Sequence, residues 1–304
     1  MTRLLIALTL VAALPLNRAQ ERPSAQLVID AVAVDRNGRP VTDLRREELE
    51  VWIGGFRIPF ESFRSVTAAD ERSGRLVVLI LDDLALPLTL VPRARDVARH
   101  FVNRMTPGDR MAIIMLSGGI MEHTDDRRQL LKRLDAYTVR AQGPLRLDSL
   151  GEQVLKSVTS IARGLSEGAY GRKTIVGIGA SWLFDTPIPP PTIGRELRQE
   201  WTDAMRAMAF ANAAFYVIEP AGIGAAPFPG GSGGFARQTG GFAFVNTNDL
   251  NGAADRIMRD AANYYLLTVA DPPVQRAAVL RELDVRVLRK NVTVRARRAT
   301  PGKE

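Results

Sequence analysis

Four short apolar runs constrain this chain more than any other feature: residues 76–81, 111–116, 174–178 and 214–218. Each is too short for a buried helix and lacks polar alternation, which is the pattern of a strand covered on both faces. Between them the apolar spacing changes to that of a helix. Ala94, Val97, Ala98, Phe101, Val102 and Met105 form one stripe, and Leu130, Leu131 and Leu134 a second. Leu150, Val154, Leu155, Val158, Ile161, Ala162 and Leu165 form a third. Pro107-Gly108 ends the first helix. Thr124 is placed to cap the second, with Asp125 and Asp126 in its first turn. Further helices are expected over 193–213 and 249–262, with one helical turn at 235–238 and a strand at 241–245. Strands alternating with helices predict a mostly parallel central sheet with helices on both faces, over residues 70–265.

Both ends of the chain read differently. Residues 26–35 are rich in Val, Ile and Ala and precede Asn37-Gly38, a strong turn signal. A helical turn is expected at 45–49, with Asp43 as its cap, then two strands at 51–53 and 58–63 around Gly54-Gly55. Near the C-terminus, strands are expected at 264–269, 283–288 and 292–296. Val285 and Val287 alternate with Asp284 and Arg286, and Val292, Val294 and Ala296 alternate with Thr293, Arg295 and Arg297. With Arg289-Lys290-Asn291 as the turn, this predicts a half-buried hairpin. Segments 20–69 and 266–304 each lack a full core, so the expectation is that they pair into one small β module.

Residues 1–19 read as a signal peptide: Arg3 opens it, residues 4–16 form an apolar run, and Ala19 is a small residue at the cleavage point. The run is shorter than the roughly 20 residues a membrane span needs, and no later stretch is long enough. The expected location is the periplasm or the outside of the cell. The absence of cysteine excludes disulfides, thiolate metal sites and cysteine nucleophiles. The net charge of +8 falls to +6 without Arg3 and Arg18, and the basic residues are scattered. Aromatics are 6% of the chain and no basic-aromatic motif occurs, so nucleic acid is not expected as a partner.

Three stretches, in order, carry a family resemblance. The first is Val32-Ala33-Val34-Asp35 with Gly38, Pro40-Val41 and Asp43-Leu44. The second is residues 76–83 followed by the helix over 93–105. The third is Gln238-Thr239-Gly240-Gly241-Phe242-Ala243-Phe244, then Asn248-Asp249-Leu250, then Tyr264-Tyr265-Leu266-Leu267. Together they resemble the VWFA-related Acidobacterial domain family of exported von Willebrand factor A (vWA)-like proteins. The resemblance implies a Rossmann-like vWA domain, flanked here by the small β module, and it implies no particular biochemical activity.

It also implies where a metal site would lie. In a working vWA site Asp-x-Ser-x-Ser follows the first strand, a Thr comes from a later loop, and an Asp follows the fourth strand. Here the first strand ends in Asp82-Asp83. The two Ser positions hold Leu84 and Leu86 counted from Asp82, or Ala85 and Pro87 counted from Asp83. Near the later Asp stand Gly179-Ala180-Ser181, with Asp185 further on, and Ser149 is the stand-in for the loop Thr. A reshaped site would draw on Asp82, Asp83, Ser149, Ser181 and Asp185. The alternative reading is that the two aspartates cap the next turn and bind nothing. Mg²⁺ gives up water reluctantly and needs several oxygens at once, so no cofactor is expected.

Enzyme signatures are weak. His100 and His123 read as surface or structural residues. Gly179-Ala180-Ser181-Trp182-Leu183 lacks the final glycine of a nucleophile elbow, and Gly230-Gly231-Ser232-Gly233-Gly234 lacks the lysine of a phosphate loop. Asp125-Asp126 reads as a helix-start pair. Trp182 and Phe184 fall just past a sheet strand, at the edge where open α/β sheets take ligands, and are candidates for a partner surface. The expected function is protein binding without catalysis. Metal-dependent adhesion through Asp82 and Asp83, and a hydrolase with an unrecognised site, are the alternatives.

Overall fold

The computed structural model describes residues 26–69, 74–119, 122–140, 147–166, 171–180, 195–224, 233–270 and 280–300. Residues 1–19, where a signal peptide is expected, Ser181, Trp182, Phe184, Asp185 and the prolines between 187 and 191 lie outside the described residues.

The centre is a parallel sheet in the order β6–β5–β7–β8–β9. Its strands are β5 (Leu76–Leu81), β6 (Arg110–Met115), β7 (Lys173–Ile178), β8 (Ala213–Ile218) and β9 (Ala243–Phe244). Every residue of β5, β7 and β8 is buried, as their unbroken apolar runs require. Alternate side chains of β5 enter opposite cores. Leu76, Val78 and Ile80 pack with helices α3 (Leu147–Leu165) and α4 (Arg195–Ala211) and with α5 (Gly233–Gln238). Val77, Leu79 and Leu81 pack with α1 (Val91–Asn103), α2 (Arg127–Asp135) and α6 (Leu250–Ala262). The result is a mixed α/β arrangement of five parallel strands flanked by helices, compatible with a Rossmann-like fold. No helix among the described residues is long and apolar enough to cross a membrane.

The other described strands form two antiparallel sheets of four strands, in the orders β12–β1–β10–β4 and β13–β11–β2–β3. The first contains β1 (Gln26–Asp35), β4 (Phe60–Val66), β10 (Tyr264–Ala270) and β12 (Val292–Ala296). The second contains β2 (Leu49–Ile53), β3 (Phe56–Ile58), β11 (Arg281–Val287) and β13 (Ala299–Thr300). They share one core, in which Ile29, Ala31, Ala33, Tyr265 and Leu267 meet Leu49, Val51, Ile53, Leu283 and Val285.

Several expectations are corrected. The strand expected over 58–63 is two strands divided at Pro59, which cannot donate to a ladder. The cap of α2 is Asp126, whose side chain accepts from the amides of Arg128 and Gln129; Thr124 instead bridges to Met111. The turn at residues 46–48 begins after Arg45, where Glu48 accepts from the Arg45 amide, rather than under an Asp43 cap. Most plainly, β11 and β12 are not a hairpin. β12 pairs with β1 and β11 pairs with β2 and β13, so the connection between them arches from one sheet to the other. A strand in a two-sheet packing has one buried face, as a hairpin strand does, so the alternation is the same in both cases. The strand β10 also crosses the division expected at 265/266.

The outer face of the first antiparallel sheet meets the α/β unit through buried charge. Arg172, just before β7, forms an ion pair with Asp30 of β1, and the side chains are 0% and 3% exposed. Its Nη2 also donates to the Tyr216 hydroxyl at 2.9 Å and to the Gly240 carbonyl at 3.1 Å. Tyr216 donates to Asp260 of α6 at 3.1 Å, and Asp260 is held in turn by Arg295 of β12 at 2.8 Å. Arg297 donates to Asn212 at 2.8 Å. Burial, and then the charge of Arg172, pull the Arg297 guanidinium down to about 10.

Candidate functional site

In an open parallel sheet, ligands bind beyond the carboxyl ends of the strands, where the strand order reverses. The chain runs from β5 to β6 on one side and returns to β7 on the other, so that point lies between the ends of β5 and β7. Asp82 and Asp83 follow β5, and Gly179 and Ala180 follow β7.

Asp82 is fully buried. Its Oδ1 accepts from the amides of Leu84 at 3.1 Å and Ala85 at 2.9 Å. Its Oδ2 crosses the reversal point and accepts from the amide of Ala180 at 2.9 Å. A carboxylate at a strand end, followed by a turn whose amides have no ladder partner, satisfies them in this way. Gly179 permits the approach, because a Cβ there would stand 2.1 Å from the Asp82 Cβ. Three N–H dipoles aim their positive ends at this carboxylate.

Asp83 is equally buried and faces β6. It accepts from the Ser117 amide at 2.8 Å and the Ser117 hydroxyl at 2.5 Å, and the Arg140 guanidinium lies 3.4 Å away. The Arg140 amide also donates to the Asp83 carbonyl at 2.9 Å. Beneath both, Tyr137 donates its hydroxyl to the Asp82 carbonyl at 2.7 Å. Burial, and then the charges of Asp82 and Asp83, raise the Tyr137 phenol well above its ordinary value, so it stays a donor.

Of the residues singled out from the sequence, the structure thus brings Asp82 and Asp83 to one edge but turns each toward its own protein partners. Ser149 is exposed in the first turn of α3 and bonds to neither. Ser181, Asp185, Trp182 and Phe184 lie outside the described residues. No group of three His, Asp or Glu side chains placed to hold a metal occurs among the described residues. Sequence reasoning missed Ser117, Tyr137 and Arg140, which arrive from separate elements with no spacing signal to link them.

The histidines sit elsewhere. His100 Nε2 on α1 lies 2.8 Å from Asp255 on α6, joining two helices. His123 is half-buried, its Nε2 has no hydrogen-bond partner, and burial followed by the charge of Arg110 lowers its pKa. No protein-family model and no curated protein matches this sequence.

Proposed function

We propose that this chain is an exported, non-catalytic protein-binding module of the vWA type in which the metal site has become a structural staple. The observation that supports this reading is the hydrogen-bond shell of Asp82, whose oxygens accept from the amides of Leu84, Ala85 and Ala180. Where a metal-bearing site would present hydroxyls, Leu84 and Leu86 are buried in the core. The small β module made by the two ends of the chain belongs to the same proposal. So does export, which rests on Arg3 and the apolar run at 4–16. Trp182 and Phe184, just past β7 in sequence, are the proposed contact residues for a protein partner.

Metal titration tests the central point. A ligand that binds only the folded state adds RT ln(1 + [L]/Kd), so millimolar Mg²⁺ on a site with a Kd of about 10 μM would add about 2.7 kcal/mol. That would raise the melting temperature by several degrees. The expected shift with Mg²⁺, Mn²⁺ or Ca²⁺ is under about one degree. A larger shift that Asp82→Ala removes would make metal-dependent adhesion the better reading. In the native envelope, partner capture should persist in EDTA and fail in a Trp182→Ala, Phe184→Ala double variant.

A further inference from the structure

A concave site lies where α6 meets the turn after β1 and the edge strand β12. It is a pocket of about 400 Å³ whose lining includes Arg36, Asn37, Gly38, Arg256, Thr293 and Arg295. That volume is in the range of small-molecule sites.

The arginines here lack enough negative charge to balance them. Arg256 is half-buried and makes no hydrogen bond or ion pair among the described residues; its contact is the ring of Phe242, 4.5 Å from its Cζ. Arg295 stacks on the same ring at 4.6 Å. It reaches one carboxylate, Asp260, which also accepts from Tyr216. The Nε of Arg256 and the Nε and Nη1 of Arg295 are buried without an acceptor. Arg36 adds an exposed third guanidinium. The acid in the lining, Asp35, is folded into its own turn, accepting from the amides of Asn37 at 2.8 Å and Arg39 at 2.9 Å. Burial, and then the charge of Arg295, lower the pKa of Arg256, and the opposing charge of Asp260 does not offset them.

Buried cationic donors without acceptors cost free energy, and guanidinium forks bind phosphate oxygens with charge-assisted hydrogen bonds. The stacking of both guanidiniums on Phe242 fixes their planes before any ligand arrives, which lowers the ordering cost of binding. The donors approach from a helix, a strand and a turn, a convergence that suits a group with oxygens in several directions.

We infer that the pocket formed by Arg36, Arg256 and Arg295 beside Phe242 binds a tetrahedral oxyanion, the phosphate group of a small phosphate monoester. The site is independent of the reading of Asp82 and uses none of its residues.

Calorimetric titration and thermal melting of the full mature chain test this, at matched ionic strength with chloride as the control. Inorganic phosphate should bind saturably and raise the melting temperature by about 2–4 °C near saturation. Glycerol phosphate should bind more tightly than inorganic phosphate if the remaining volume holds the rest of the ligand, and equal or weaker binding would assign the pocket to free phosphate. Arg256→Gln removes no hydrogen bond among the described residues, so it should fold normally and lose at least about tenfold in phosphate affinity. Arg36→Gln, on the exposed turn, provides the same readout should the first variant fold poorly. The inference is overturned if phosphate gives no saturable binding beyond chloride, or if both variants retain the wild-type affinity.

Discussion

Asp82 ties the end of β5 to the end of β7, and its replacement should be felt in stability before it is felt in any ligand. Asp82→Ala leaves two buried amides and one part-buried amide without acceptors, and we expect a loss of about 2–4 kcal/mol, read by urea unfolding. Gly179→Ala should cost about as much, because its Cβ would overlap that of Asp82. A second set of residues sets the response to acid. Burial, and then Arg110, hold the folded-state pKa of His123 below its ordinary value of 6.5, so the unfolded chain takes the proton first. Stability is therefore greatest above that value and falls as the pH drops from about 7 toward the folded pKa. Asp109 acts lower on the scale. Burial pushes its carboxyl up, but the Arg75 guanidinium and the amides of Thr106 and Arg75 outweigh it and hold it below 3.8. Its contribution is present above 3.8 and is lost as the pH falls through the lower folded value. Melting temperatures from pH 8 to pH 3 should show both declines, and His123→Gln should flatten the upper one alone. At this scale the sequence revealed that Asp82 and Asp83 stand at a strand end, because a charge pair after an apolar run can stand nowhere else. It did not reveal Ser117, Tyr137 or Arg140 beside them. Nor did it distinguish Arg172, Asp30 and Arg297, all buried, from the many solvated charges of the same types.

Elements were the most legible level. The strands β1 and β12 match their expected limits, and the fully apolar strands of the parallel sheet declared themselves by lacking alternation. Helix starts were read less well. Thr124, Asp125 and Asp126 are all capping types, and the choice fell to Asp126 because Thr124 is held against β6 by its bridge to Met111. Asp126→Ala should therefore cost about 1 kcal/mol in thermal unfolding, and Thr124→Val less. Pairing partners were the least legible. Period-two alternation shows which face of β11 or β12 is buried but not which strand lies beside it. The arch between them follows from a positive φ of 64° at Asn291 and from Arg289, which reaches back to Asp43 and Glu48 at 2.7 Å.

At the scale of the molecule, the last strands hold both antiparallel sheets together: β12 lies beside β1, and β11 beside β2. A chain ending at residue 280 would expose the partners of Leu283 and Val285, whose burial alone is worth about 4 kcal/mol, and would leave β1 and β2 with open edges. Such a chain should melt at lower temperature than the same chain with its last strands and elute as aggregate from a sizing column; an unchanged melting temperature would count against a shared module. The same pairing has a consequence in time. The neighbouring strands of β1 are β10 and β12, and even its shortest strand-to-strand pairing, Ala31 with Tyr265, spans most of the sequence. During synthesis the parallel strands β5 to β9 are complete while β1 still has neither neighbour. A growing chain thus carries an unmatched, strongly β-forming segment until β10 and then β12 are made, and escort by a holding chaperone over that interval would shield it from other nascent chains.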